Sequence, residues 1–236
     1  MSLTRVHGHT FFDECIHADS TVIDAGANHG GFSAAMRQRF GCEPWAIEAN
    51  PTLARSLEVQ TDRIFHVALA GQSGRLRFQV NEADECSRFL ADNESSDRAV
   101  EVEAISLQEL LNRAAIVGQV DLLKIDIEGA ETQTLLSADV DLLRRFRQIT
   151  VEIHDFNDLV SPAQVEQLSH HLAAAGFDII RATHRFHDDT LFFRRDAVGV
   201  SKLKVLWAKH VMRNVFGIGR ILRRRISAFS GSKAGH

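Results

Sequence analysis

The sequence has few cysteines and no long apolar run. Its three cysteines, Cys15, Cys42 and Cys86, are an odd set without a spacing pattern among 236 residues, so the sequence predicts neither a disulfide framework nor a tetrahedral zinc site. A reducing cytoplasm fits this usage best. No stretch is long and apolar enough to span a bilayer, and residues 1–20 lack the apolar segment of a secretory signal peptide.

Positive charge is also scarce over most of the chain. Residues 1–193 carry a net charge of −14, whereas residues 194–236 carry +10. An acidic domain without a cluster of basic residues binds nucleic acid poorly, so we expect no nucleic-acid partner.

Short β-rich runs alternate with helical runs from residue 21 onward, without an internal repeat. This order is typical of an α/β domain with a mostly parallel sheet covered by helices on both faces. The predicted strands cover residues 21–24, 44–48, 64–69, 75–80, 120–127, 149–154, 179–181 and 190–193, and the predicted helices cover residues 31–40, 131–143 and 162–175, with one more from Pro51. We expect a domain over residues 1–195, with a mobile polar loop at residues 81–98, and a helical tail over residues 196–236.

A glycine-bearing turn joins the first predicted strand to the first predicted helix, in the segment VIDAGANHGGFSA at residues 22–34. Glycine lets the backbone approach a ligand closely, and a helix N-terminus presents free N–H groups. Such a turn serves a dinucleotide and another nucleotide-type cofactor equally well, and the alternative is a purely structural glycine turn.

Glu48 ends the next predicted strand, where a carboxylate can accept hydrogen bonds from both hydroxyls of a ribose. Asp24 ends the neighbouring strand, and no cluster of arginine or lysine accompanies the two acids. This charge suits a cofactor with a sulfonium and an ammonium better than a pyrophosphate, and favours S-adenosylmethionine over NAD. The alternative for Glu48 is a solvated strand end.

Six segments then occur in a fixed order: VIDAGANHGGFSA, AIEANP, HVALAGQSG, ISLQELL, VDLLKIDIEGAE and ITVEIH. Together they resemble the successive motifs of the FkbM-like methyltransferases, over residues 21–193. The resemblance implies the seven-stranded class I methyltransferase fold, S-adenosylmethionine as the donor, and O-methylation of a hydroxyl on a sugar or a glycosylated natural product.

The resemblance also assigns cofactor-binding residues. These are Asp24, Gly26, Ala27, Asn28 and Gly30 in the glycine turn, Glu48 and Asn50 at the ribose, and residues 66–68, including Ala68, beside the adenine. The Glu-Pro-Asn usual in the family is Glu48-Ala49-Asn50 here, with Pro51 displaced, which leaves the acid in place and changes the loop shape.

The ends of the strands at residues 120–127 and 149–154 should face the methyl acceptor, because ligands of open α/β sheets bind beyond the carboxyl ends of the strands. His154 is the first candidate for the base that deprotonates an acceptor hydroxyl, since imidazole titrates nearest neutrality. Asp126 is the second, and would alternatively hold the amino group of the cofactor. His154 would equally suit a structural hydrogen bond, and Asp126, Glu128, Glu152 and His154 together would suit a divalent cation.

Apolar residues recur every three or four positions between Val200 and Phe229, with basic residues largely off this stripe. Such a helix would lie peripherally on an anionic membrane, or pack on its own domain or a second subunit. We therefore expect a cytoplasmic methyltransferase acting on a saccharide, a lipid-linked glycan or a glycosylated natural product. The alternatives are an NAD-binding oxidoreductase and a non-catalytic adaptor docked through its basic tail.

Overall fold

The fold is that of a computed structural model, which describes residues 2–79, 88–89, 99–155, 160–182, 187, 189–201 and 205. Most of the loop predicted at residues 81–98, and nearly all of the predicted helical tail, lie outside the described residues and stay predictions.

The strands in chain order are β1 (Leu3–Val6), β2 (His9–Phe12), β3 (Val22–Ala25), β4 (Trp45–Ile47), β5 (Ile64–Phe65), β6 (Ala68–Leu69), β7 (Gly74–Gln79), β8 (Arg88–Phe89), β9 (Ala99–Ile105), β10 (Leu122–Ile125), β11 (Gln148–Val151), β12 (Asp178–Arg181) and β13 (Thr190–Phe193). The helices are α1 (Gly31–Phe40), α2 (Pro51–Leu57), α3 (Leu107–Arg113), α4 (Glu131–Ser137), α5 (Val140–Leu143), α6 (Pro162–Ala174) and α7 (Arg195–Val198).

Seven strands form the central sheet in the order β12-β13-β11-β10-β3-β4-β5, in which β13 runs antiparallel to both of its neighbours. A second sheet has the order β6-β9-β7-β8, and β1 pairs with β2 as an N-terminal hairpin. The α/β class predicted from the sequence is confirmed, as a mixed sheet with helices.

The central strands are buried along their whole length, because apolar layers cover both faces of the sheet. Alternate residues of a strand point to opposite faces. Ile23 and Leu123 belong to the larger core, under α3 to α6, whereas Val22 and Leu122 belong to a second core with α1 and the hairpin. The hairpin is thus part of the domain core, although the sequence predicts no element there.

Two predicted elements are divided in the structure. The strand predicted at residues 64–69 is two strands, because β5 pairs in the central sheet and β6 pairs with β9 in the second. The helix predicted at residues 131–143 is α4 and α5, because Asp139 breaks it and caps α5 by accepting a hydrogen bond from the Leu142 N–H at 2.8 Å. The helix predicted from residue 162 is α6, which Ser161 caps and which has Pro162 in its first turn.

Among the described residues, no helix combines the length and the apolar character needed to cross a membrane.

Candidate functional site

The glycine turn lies where β3, β4 and β10 end side by side. The N–H groups of Gly26 and Ala27 donate to the carbonyl oxygen of Ile47 at 2.9 and 3.0 Å. Gly26 has φ +76°, and a Cβ atom there would lie 1.7 Å from the carbonyl oxygen of Asp126. Only glycine fits this contact, so the turn is held against the end of β10.

Glu48 lies just beyond β4, and the backbone fixes both of its carboxylate oxygens. Its Oε2 accepts a hydrogen bond from the Asn28 N–H and its Oε1 from the Asn50 N–H, each at 2.8 Å. Burial raises the pKa of Glu48 by more than these two hydrogen bonds lower it. Each carboxylate oxygen retains a second lone pair, which can accept from a ligand hydroxyl.

Asp24 lies beneath the turn rather than on the surface of a cavity. It is fully buried, accepts a hydrogen bond from Ser33 Oγ at 2.7 Å, and its Oδ1 is 3.1 Å from Lys124 Nζ. Burial opposes the charge of Lys124, but Asp24 and Asp126 outweigh it and raise the pKa of the ammonium. Lys124 in turn donates to the carbonyl oxygen of Gly26 at 2.6 Å. Asp24 therefore supports the turn through Lys124.

Two clefts meet at this turn and share Gly26, Asn28 and Asp126. The first cleft, of about 550 Å³ with its open mouth, is lined by both polar and apolar residues, and its further lining residues include Glu48, Asn50, Leu53, Val67, Ala68 and Leu69. The second, of about 670 Å³ with its mouth, is further lined by His7, His9, Ala27, His29, Gly31, Phe32 and Lys124.

Most of the predicted cofactor residues line these clefts. Gly26, Ala27, Asn28, Glu48, Asn50 and Ala68 do so, whereas Asp24 and Gly30 are not among the lining residues. Asn50 also caps α2, through a hydrogen bond from the Thr52 N–H at 3.0 Å. His66 does not line the first cleft, and its Nε2 is 3.2 Å from Glu58 Oε1. The apolar wall at Leu53 was not predicted.

His154 lies beyond β11 among three carboxylates. Its Nδ1 is 2.8 Å from Glu131 Oε1, and its Nε2 is 3.3 Å from Glu128 Oε2 and 3.8 Å from Asp126 Oδ1. Burial lowers the pKa of His154, but these acids outweigh burial and raise it to about 9. His154 is therefore protonated at neutral pH, whereas a base must be neutral.

Asp126 is ionised at neutral pH. Burial opposes its charge, but the neighbouring His9 and Lys124 lower the pKa of Asp126 to about 2. His9 itself is 1% exposed, and burial lowers its pKa. Its Nε2 is 3.8 Å from Asp126 Oδ2, beyond hydrogen-bond length, and its Nδ1 has no hydrogen-bond partner in the described part of the chain.

Two buried polar side chains hold the hairpin in place. Asp189 accepts hydrogen bonds from the Thr10 N–H at 2.9 Å and from Thr10 Oγ1 at 2.8 Å, and pairs with Arg5 Nε at 2.8 Å. Gln148 accepts from the Phe12 N–H at 2.8 Å and donates to its carbonyl oxygen at 3.0 Å. These contacts fix His9 beside the end of β10, which the sequence did not predict.

The comparisons with known proteins agree with this geometry. The model of the Methyltransferase FkbM domain matches residues 24–179. AMB antimetabolite synthetase AmbE of Pseudomonas aeruginosa is 26% identical over an alignment of 204 residues, and the match covers 68% of this chain and 10% of that protein. The crystal structure of Methyltransferase FkbM from Methylobacillus flagellatus KT aligns with a TM-score of 0.52 at 14% identity, over 81% of this chain and 48% of that chain.

The chain thus spans about half the length of the matched structure, and about a tenth of the matched synthetase. The structural likeness supports the fold. The family match includes the glycine turn, Glu48, Asp126 and His154, but the hairpin with His9 precedes it.

Proposed function

Because the chain belongs to the FkbM methyltransferase domain family, we propose that it transfers a methyl group from S-adenosylmethionine to a hydroxyl of a saccharide, a glycan or a glycosylated natural product. The observation that supports this most is Glu48, buried at the end of β4 and held by two backbone N–H groups beside the glycine turn.

The first cleft suits the adenosine half of this cofactor. Glu48 would accept hydrogen bonds from the ribose hydroxyls, and Leu53, Val67 and Leu69 offer an apolar wall for the adenine. Small residues at Gly26 and Ala68 leave room for the ligand.

The charge of the two clefts suits a sulfonium and an ammonium. Apart from histidines, Lys124 is the one basic side chain among the described lining residues, and Asp24 neutralises it. Asp126 lines both clefts as a carboxylate, and Glu128 lines the first. A pyrophosphate would meet net negative charge here, which disfavours the NAD alternative.

Bound S-adenosylmethionine supplies an electrophilic methyl group. The protein must then place the acceptor oxygen in line with that group and help the hydroxyl to lose its proton. His154 and Asp126 are the two candidates for this step. At neutral pH Asp126 is ionised and His154 is protonated. We therefore place Asp126 against the acceptor hydroxyl, and we assign to His154 the pairing with the surrounding carboxylates.

Asp126→Asn tests this assignment. We expect methyl transfer to fall by about 100-fold or more, because the amide lacks the negative charge that assists loss of the hydroxyl proton, while the affinity for S-adenosylhomocysteine changes much less. The assay is product mass spectrometry with S-adenosylmethionine and a panel of saccharides and glycosides.

Asp141→Asn is the matched control, because the side chain of Asp141 is 92% exposed and forms a surface ion pair with Arg144 at 3.4 Å. The control should react at the wild-type rate. An undiminished rate in Asp126→Asn would refute the role of Asp126. Wild-type binding of S-adenosylhomocysteine without transfer to any of the panel would instead favour the adaptor.

A further inference from the structure

We infer that the hairpin of β1 and β2 completes the cofactor site, with the imidazole of His7 binding the carboxylate at the amino-acid end of S-adenosylmethionine. This assignment rests on the proposed function, because it takes the adenosine half of the cofactor to lie in the first cleft. The amino-acid half then lies in the second cleft, one wall of which is the hairpin.

The two clefts meet at the glycine turn, where Gly26, Asn28 and Asp126 line both of them. S-adenosylmethionine is an adenosine joined through sulfur to an amino acid. A cofactor with its ribose at Glu48 therefore has the second cleft as a neighbouring cavity for its amino-acid end. Asp126 is ionised at this junction, which suits the positive charge of the sulfonium between the two halves.

His7 and His9 are the hairpin residues that line the second cleft, and their surroundings differ. His9 is 1% exposed, and its Nε2 lies 3.8 Å from Asp126 Oδ2. His7 is exposed, and its imidazole forms no hydrogen bond or ion pair with the residues that the structure describes. The ring nitrogens of His7 are therefore available to a ligand in this cleft.

The ring of His7 is held against the start of α1. A Cβ atom at Gly31 would lie 2.7 Å from His7 Cε1 and 3.0 Å from its Nδ1, so the absence of a side chain at Gly31 makes room for the imidazole. Gly31 and Phe32, the first two residues of α1, line the same cleft. The imidazole and the first turn of α1 thus border one part of the second cleft.

The backbone of His7 is in a conformation that non-glycine residues rarely adopt, with φ +44°. Four non-glycine residues in the described part of the chain have positive φ, and three of them, His7, Asn28 and Glu128, line the two clefts. Such strain is retained where the surrounding structure holds it, and it is concentrated at ligand sites. The backbone at His7 therefore has the same character as the backbone at the proposed adenosine site.

A carboxylate suits the part of the cleft between His7 and α1. Among the described residues, neither a side-chain cap nor an acid occupies the first turn of α1, so its positive dipole end is uncompensated. An imidazole N–H beside that turn donates to a carboxylate oxygen. Asp126 in the same cleft suits the ammonium group of the same amino acid.

His7 precedes residues 24–179, which the family model matches. The hairpin is nevertheless fixed to the domain, since Asp189 and Gln148 bind its backbone. The contact with the carboxylate is therefore a contribution of this hairpin to a cofactor site whose other residues lie in the matched domain.

Calorimetric titration of the full chain with S-adenosylhomocysteine and with its decarboxylated analogue tests this contact. The analogue keeps the adenosine, the sulfur and the ammonium but lacks the carboxylate. We expect wild type to bind S-adenosylhomocysteine at least about tenfold more tightly than the analogue. His7→Phe keeps a ring against Gly31 but cannot donate, so it should weaken S-adenosylhomocysteine binding by about tenfold and the analogue by less than about twofold.

His17→Phe is the matched control, because His17 is exposed and is not among the residues described as lining either cleft. It should bind both ligands within about twofold of wild type. Gly31→Ala provides a second test, since its Cβ atom would displace the ring of His7. It should also weaken the binding of S-adenosylhomocysteine more than that of the analogue. Thermal unfolding identifies any variant that fails to fold.

Unchanged binding of S-adenosylhomocysteine in His7→Phe would overturn the contact, as would equal weakening of the two ligands, because only the carboxylate distinguishes them. In both of these cases wild type still binds the cofactor product, so the proposed function stands. Absence of binding of both ligands to wild type would instead overturn the proposed function and this contact with it.

Discussion

His154 and Asp126 show how the surroundings of a residue set its chemistry. Both follow central strands, and both are candidates for the base when only their side-chain types are known. In the fold, three carboxylates surround His154 and raise its pKa to about 9, whereas His9 and Lys124 help to lower the pKa of Asp126 to about 2. The histidine is therefore the cation of the cluster and the aspartate its anion.

This pKa predicts how stability depends on pH. The pKa of His154 is raised on folding, so its contribution is complete below about pH 6.5 and is lost as the pH rises through about 9. A shift of this size corresponds to on the order of 3 kcal/mol. We expect the stability advantage of wild type over His154→Gln to shrink by about that amount between pH 6 and pH 9.5, in urea unfolding with EDTA.

His170→Gln, at an exposed position of α6, is the control and should stay within about 0.5 kcal/mol of wild type at both pH values. An advantage of wild type over His154→Gln that is constant or grows with pH would show that His154 is not the buried cation.

At residue level, the sequence predicts what depends on neighbours along the chain. The places of the glycine turn and of Glu48 at the ends of strands could be predicted, because both follow apolar strands directly. The protonation of His154 could not, because it depends on Glu131, which is 23 residues away. The position of His9 was missed for the same reason, since Asp126 comes near it only in the fold.

Among the elements, the hairpin of β1 and β2 is the main addition to what the sequence predicts. Its acceptors, Asp189 and Gln148, are 179 and 136 residues away from the backbone groups they bind, so no local pattern reveals them. Periodicity predicts α1 and α6 well, because their apolar faces and caps are local. It cannot show that the apolar run from β5 to β6 changes sheets, because both strands have the same pattern.

Asp189→Ala tests the docking of the hairpin. The change leaves the two Thr10 donors and the Arg5 guanidinium without their acceptor, so we expect a loss of about 2 to 4 kcal/mol in the free energy of unfolding. The measurement is urea unfolding near neutral pH.

Asp13→Ala, which removes an exposed hydrogen bond from Ser2 at the end of the same hairpin, should cost less than about 1 kcal/mol. Equal effects of the two changes would contradict the docking role of Asp189.

At the scale of the whole molecule, the family and the α/β fold were predictable because six motifs occur in order along the chain. Residues 24–179 confirm that resemblance as membership of the FkbM methyltransferase domain family. The second cleft was not predictable, since it combines the hairpin with the glycine turn and the end of β10. The basic tail and its expected contact with a membrane or a second subunit stay predictions, because residues 206–236 lie outside the described chain.

Calorimetric titration of the full chain with S-adenosylhomocysteine and, separately, with NADH tests the proposed cofactor most directly. We expect S-adenosylhomocysteine to bind at one site per chain and NADH not to bind. Glu48→Gln should weaken the binding of S-adenosylhomocysteine by about tenfold or more, because a hydrogen bond to a charged group contributes about 1.5 to 3 kcal/mol. Binding of NADH without S-adenosylhomocysteine would contradict the account.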